Sequence, residues 1–121
     1  MKAMDIIDRV DMLEPNGYSP EQKLLWLSIL DGKVYNEVLK THEGCQIDSP
    51  PKYTTGTEEL LIPAPYGEEI YYYYLQAMIQ AENQETARYT NRKTQYTTAY
   101  REWANMYNRS HAPLKTARQF V

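Results

Sequence analysis

Apolar residues recur with helical spacing in four stretches of this chain, separated by clusters of proline, glycine and asparagine that do not continue a helix. The first stretch predicts an amphipathic helix from about Ala3 to Leu13. Ile6, Ile7, Val10 and Leu13 form one stripe, and Asp5, Asp8, Arg9 and Asp11 take the other side. Pro15-Asn16-Gly17 ends it. Ser19 as N-cap, Pro20 at the first helical position and Gln22 as capping-box partner then start a second helix. Its stripe is Leu24, Leu27, Leu30, Val34 and Val38, widened by Leu25, Trp26, Ile29, Tyr35 and Leu39. A face this wide calls for cover on more than one side, by other helices or by a partner chain. Gly32 inside the pattern marks a kink or a close contact, and the helix should stop near His42 with Gly44 as a left-handed cap residue.

Between Cys45 and Gly67 the helical period is lost. Ser49-Pro50-Pro51 and Ile62-Pro63-Ala64-Pro65 break any helix, while Lys52 to Thr55 and Glu58 to Ile62 favour extended structure around Gly56. The expectation is a 20-residue loop or a small β-hairpin, and loops of this length tend to be functional or to order on a partner. A third helix follows from about Gly67 to Glu82, with Glu68 and Glu69 suited to the positive end of its dipole. Its run Tyr71-Tyr72-Tyr73-Tyr74 turns through more than a full circuit, so at least one tyrosine leaves the core side. Two core and two surface tyrosines are the plain expectation, and contact residues at an interface the functional one. The fourth stretch, from about Glu85 to Arg109, carries Tyr89, Tyr96, Ala99, Tyr100, Trp103, Met106 and Tyr107 on one face. A break near Asn83-Gln84 separates it from the third helix, although one long bent helix fits the same spacing. Twenty-five helical residues span about 37 Å, which predicts an elongated bundle of about four helices with one end projecting. Residues 1–113 then form a single helical domain, mainly α, and residues 114–121 a basic C-terminal tail expected to be flexible.

Composition narrows the class. A chain of 121 residues can bury a core without staples, and Cys45, the only cysteine, leaves no internal disulfide. The start of the chain turns charged at once, unlike a signal peptide, and no apolar run is long enough to span a bilayer, so a soluble, cytosolic protein is expected. The net charge of −3 is unevenly spread. Residues 1–61 carry six Lys/Arg against eleven Asp/Glu, a net of −5, and residues 62–121 seven against five, a net of +2. From Thr86 onward, Arg88, Arg92, Lys93, Arg101, Arg109, Lys115 and Arg118 face only Glu102. Such a bipolar chain suits head-to-tail contact between copies; a merely solvated basic helix face is the other reading.

Candidate chemistry is sparse. His42 and Cys45 have an H-x-x-C spacing, but His111 is the only other imidazole, short of a zinc ligand set, and no third group orients a thiol nucleophile. Glu58-Glu59 and Glu68-Glu69 read as loop and helix-start solvation. There is no phosphate-binding glycine motif. The chain is therefore expected to be no enzyme and to need no metal or cofactor.

One resemblance gives a more specific expectation. Ser19-Pro20-Glu21-Gln22-Lys23-Leu24-Leu25-Trp26-Leu27 with Leu30-Asp31-Gly32, Lys40-Thr41-His42-Glu43-Gly44, Leu60-Leu61-Ile62-Pro63 with Pro65-Tyr66, and the run Ala87-Arg88-Tyr89, Asn91, Tyr96, Tyr100, Trp103-Ala104, Tyr107-Asn108-Arg109 and His111 resemble a family of small proteins encoded by tailed phages and prophages of Gram-positive bacteria. The likeness covers about residues 5 to 114. It implies a structural protein of the head and neck region, similar to head-tail connector or head-completion proteins that add a ring below the portal. Partners would be copies of itself and the portal or neighbouring neck proteins, with no membrane and with nucleic acid disfavoured. The place would be the host cytoplasm during assembly and then the virion neck.

In that role Tyr71, Tyr72, Trp103 and Tyr107 are expected in packing and subunit contacts, and Arg88, Arg92, Lys93 and Arg109 in charge complementarity with a neighbour. The 45–66 loop and the 112–121 tail would order on partners. The alternative is a small regulatory or nucleic-acid-binding helical protein using the basic aromatic face of the last helix.

Overall fold

The computed structural model describes residues 1–113, and the tail expected over 114–121 lies outside the described residues. Four helices form as the periodicity predicts: α1 (Ala3–Leu13), α2 (Pro20–Val34, extended by a π turn over Tyr35–Leu39), α3 (Tyr66–Glu82) and α4 (Thr86–Ser110). The chain is mainly α-helical, its helices packed on one another as a bundle, with no strand among the described residues.

Local chemistry sets most of the ends. The Asp5 carboxylate accepts the Lys2 backbone N–H at 3.1 Å at the start of α1, and Ser19 Oγ accepts the Gln22 N–H at 3.1 Å at the start of α2. Only the serine half of the expected capping box around Ser19 is made. The irregularity expected at Gly32 falls three residues later, at the π turn, where the Lys40 N–H reaches Tyr35 O at 2.9 Å. A side chain at Gly32 would meet nothing nearer than Pro50 Cβ at 4.0 Å, so no close contact requires glycine there. Gly44 does take the left-handed conformation expected of it, with φ +89°.

Helices α3 and α4 form an antiparallel hairpin, not one bent helix. Gln84, at φ +61°, turns the chain, and the Glu85 N–H donates back to Gln80 O at 2.9 Å. The expectation that an end of the last helix projects is overturned. At one end Arg88 reaches Glu14 of α1 at 3.1 Å. At the other, the Glu43 N–H donates to Ala112 O at 2.8 Å beside an isolated bridge between His42 and Pro113.

The core collects Ile6, Ile7 and Val10 from α1, Leu24, Leu27, Leu30 and Val34 from α2, Ile70, Tyr71, Leu75 and Ile79 from α3, and Ala99 and Trp103 from α4. Each large apolar side chain buried this way contributes about 1.5–3 kcal/mol. The α2 stripe is narrower than expected, since Leu25 and Ile29 remain half exposed.

Tyr53, Leu60 and Ile62 join the same core from the segment between α2 and α3. That segment takes the loop form, not the hairpin. It lies along the N-terminus, where Ala3 N–H donates to Glu58 O and Met4 N–H to Gly56 O. The Glu58 carboxylate accepts the backbone N–H groups of Thr54, Thr55 and Gly56, which hold it well below the usual carboxylate range, at about 2. Residues 53–62 therefore have their partners inside the chain, and the expectation that the whole 45–66 loop waits to order on another protein fails for this part.

Candidate interaction surface

The two faces of α4 have opposite chemistry. Its inner face is a ladder of rings: Tyr74 of α3 meets Tyr96 at 5.4 Å between centroids, and Tyr96–Tyr100, Tyr100–Trp103 and Trp103–Tyr107 follow at 5.9, 5.9 and 5.5 Å. His111 stacks on Tyr107 at 3.8 Å, and His42 meets the same ring edge-on at 5.2 Å. These spacings suit aromatic pairs, and the i, i+3 and i+4 steps keep them on one helical stripe. Burial drives the Tyr96 and Tyr100 phenols far up, Tyr74 to about 12, and Tyr107 upward. Lys33 of α2 closes the ladder from outside, its ammonium 5.1 Å from the Tyr100 ring centre.

The outer face holds Thr90, Thr94, Thr97, Thr98, Arg101, Asn105 and Arg109, all exposed, with the exposed Glu102 at its edge beside Thr94, Thr98 and Glu69 of α3. Thr90, Thr94, Thr97 and Thr98 line a shallow trough of about 500 Å³ with Tyr89, Lys93 and Arg101. Threonine is a weak helix former, about half a kcal/mol worse than alanine at an exposed interior position. The hydroxyls of Thr90 and Thr94 turn back to the carbonyls of Thr86 and Thr90, both at 2.9 Å, which satisfies them but does not strengthen the helix. Exposed helices usually offset such choices with opposite charges one turn apart. Here Arg88–Glu85 is the one such pair within α4 and its cap among the described residues. The outer face thus breaks local rules without a compensation inside the subunit.

Its cations also make no ion pair among the described residues. Among the described residues, Arg92, Lys93, Arg101 and Arg109 have no carboxylate oxygen within 4.0 Å. Arg92 bonds Gln95 at 2.9 Å and lies over Tyr73, and Lys93 lies 5.7 Å from the Tyr89 ring centre. Arg88 is different, already paired to Glu14 and Glu85 at 3.1 and 3.4 Å.

Placement of the residues expected in contacts is therefore split. Tyr71 is fully buried and Trp103 2% exposed, so the packing half of the expectation holds and the subunit-contact half is withdrawn for both: neither presents surface to a neighbour. Tyr72 is half-buried beneath the Arg9 guanidinium, 4.3 Å from its ring centre, and Tyr107 is half-buried between the two histidines. Arg92, Lys93 and Arg109 stay on or beside the outer face of α4. Of the four consecutive tyrosines one, not two, is fully buried, and Tyr72, Tyr73 and Tyr74 are half-buried.

Sequence patterning missed the buried polar centre. The Asp31 carboxylate, fully buried on α2, accepts hydrogen bonds from the Tyr53 hydroxyl, from the Tyr71 hydroxyl at 2.6 Å and from the Leu61 N–H at 3.0 Å. Tyr71 in turn accepts the Ile62 N–H at 2.9 Å. Desolvation pushes the Asp31 carboxyl up despite these donors, and pushes both phenols up with it. The signal was an acid inside an apolar stripe, Leu30-Asp31 with Val34, which calls for buried donors. All three partners are supplied within the chain, and the centre pins the 53–62 segment onto α2 and α3.

No group of three or more His, Cys, Asp or Glu suited to a metal ion occurs among the described residues, and none of their helices is long and apolar enough to cross a membrane. No family model, curated protein or solved structure matches the chain.

Proposed function

We propose that this chain is a non-enzymatic assembly protein of a tailed phage or prophage, a head-tail connector subunit that joins copies of itself and docks on the portal. Supporting this reading is the sequence resemblance to small phage neck proteins. The observation that carries it is the outer face of α4, with short hydroxyl and amide side chains and cations that make no ion pair among the described residues, displayed on a helix anchored by its other face. Such a face has the low side-chain entropy and unmatched charge that favour docking to an acidic protein surface. In this reading the subunit forms in the host cytoplasm and ends in the virion neck.

The test is size-exclusion chromatography with light scattering on the chain mixed with the portal encoded beside it. A shared high-mass peak at fixed stoichiometry is expected. Separate elution across salt and concentration removes the connector reading. The same cations with Tyr89 favour a second reading, nucleic-acid binding. That reading requires an affinity that falls with salt at a log–log slope of about −0.9 per phosphate contacted on duplex DNA. A flat or absent signal in filter binding excludes it.

A further inference from the structure

We infer that the outer face of α4 is occupied by the acidic end of a second copy of this chain, so that subunits join head to tail. This rests on the reading of the chain as an assembly subunit and names the partner of that face. The acidic end is assembled by tertiary contacts. Gly67 at the start of α3 abuts Met1, where an added Cβ would lie 2.8 Å from the Met1 Cε. Residue 2 pairs with residue 59, and the Ala3 N–H donates to Glu58 O. The starts of α1 and α3 and the 54–59 turn therefore converge. They bring together Asp5, Asp8, Glu58, Glu59, Glu68 and Glu69, the last on the side toward α4, where it borders Thr94, Thr98 and Glu102; Lys2, Arg9 and the Met1 amine, which sits 2.5 Å from Glu59, offset part of this charge.

Two surfaces of one molecule then carry opposite charge, and neither satisfies the other. Asp8, Glu68 and Glu69 are exposed and, among the described residues, make no ion pair. Lys93, Arg101 and Arg109 are exposed and make none either. The cations sit eight residues apart, which spaces them along α4 by about 12 Å per step. A contact between two different patches is heterologous, so it repeats from copy to copy and closes into a ring or continues as a filament. The threonines between Lys93 and Arg101 keep that part of the trough short, and the long side chains that line it, Tyr89, Lys93 and Arg101, include two of the cations that would meet the acids.

Sedimentation velocity on charge-swapped variants tests this. The wild-type chain should self-associate at about 50 mM salt and dissociate as salt rises, as exposed charge pairs do. Lys93→Glu with Arg101→Glu and Arg109→Glu should weaken association at least about tenfold, and Asp8→Lys with Glu68→Lys and Glu69→Lys should do the same. Mixing the two variants should restore it, since each altered face again meets one of opposite sign. Circular dichroism checks that both remain helical. Should the lysine variant unfold, Asp8→Asn with Glu68→Gln and Glu69→Gln replaces it, with a smaller loss expected. A wild-type chain that stays monomeric throughout, variants that associate as before, or a mixture that stays apart would each overturn the proposal. Adding portal in parallel runs separates this from the connector reading: self-association that obeys the charge swap without portal binding removes the connector and keeps the interface.

Discussion

Residues 53–62 and the outer face of α4 are opposites in regularity and in burial. The first has no helix or strand, yet Tyr53, Leu60 and Ile62 are in the core and its backbone is tied to Asp31, Tyr71 and Glu58. The second lies on 25 residues of unbroken helix, yet its threonines and arginines touch little of their own subunit. Repetition of backbone hydrogen bonds makes a helix regular, whereas burial depends on which side chains find partners from elsewhere. An irregular segment with buried donors and acceptors is held more firmly than the solvent side of a regular one. The first region therefore serves the stability of the subunit, and the proposed contact falls on the second.

Breaking the buried centre is the strongest challenge to that division. Asp31→Ala leaves the Tyr53 and Tyr71 hydroxyls and the Leu61 N–H without their acceptor and should destabilise the chain by about 3 kcal/mol. Urea unfolding measures this, and limited proteolysis should then cut within 53–62 first. A loss below about 1 kcal/mol would mean that the segment is held by apolar packing alone. Tyr71→Phe keeps the ring and removes the hydroxyl that joins Asp31 to the Ile62 N–H. The expected loss is about 1.5–2 kcal/mol by the same unfolding curve, with the helical signal intact.

Acid sharpens the comparison at the same segment, because Glu58 within it and Asp31 of α2, which holds it, respond with opposite sign. Glu58 has a folded pKa near 2, below its ordinary 4.5, so its contribution is full above about 4.5 and is lost as pH falls toward 2. Asp31 has a raised folded pKa, so folding favours its protonated form, and its contribution grows as pH falls from that raised value toward the ordinary 3.8. Thermal midpoints of Glu58→Gln should fall less than wild type between about pH 4.5 and 2.5, and those of Asp31→Asn should fall more. Parallel curves for all three proteins would remove both assignments.

The smallest effect belongs to the outer face and has the reverse sign. Thr94→Ala and Thr98→Ala should each raise stability by about 0.3–0.5 kcal/mol, because alanine is the better helix former and neither side chain is needed by its own core. Thermal unfolding tests this, and destabilisation by either change would show that the face serves the subunit's own fold.

Much of the fold was legible in the sequence. Pro20, Pro15-Asn16-Gly17, Gly44 and the broken period after His42 marked helix limits to within a few residues, since capping, proline geometry and left-handed backbone act over a turn or two. The cation-rich last helix was legible too, with Arg92, Lys93 and Arg109 named from charge alone. What remained illegible was the choice among equals. Four tyrosines in a row have the same propensity, and only the position of Asp31, forty residues earlier, selects Tyr71 for the core.

The sequence by itself determined the number of helices, most of their limits and the uneven charge, because each follows from neighbours along the chain. Only the tertiary structure decided that Tyr71 is the fully buried tyrosine of its run, that 53–62 is part of the core, and that six carboxylates from three segments share one end. Those outcomes depend on groups far apart in the chain meeting where water is excluded, and there an unpaired polar atom is too costly to leave its partner to chance.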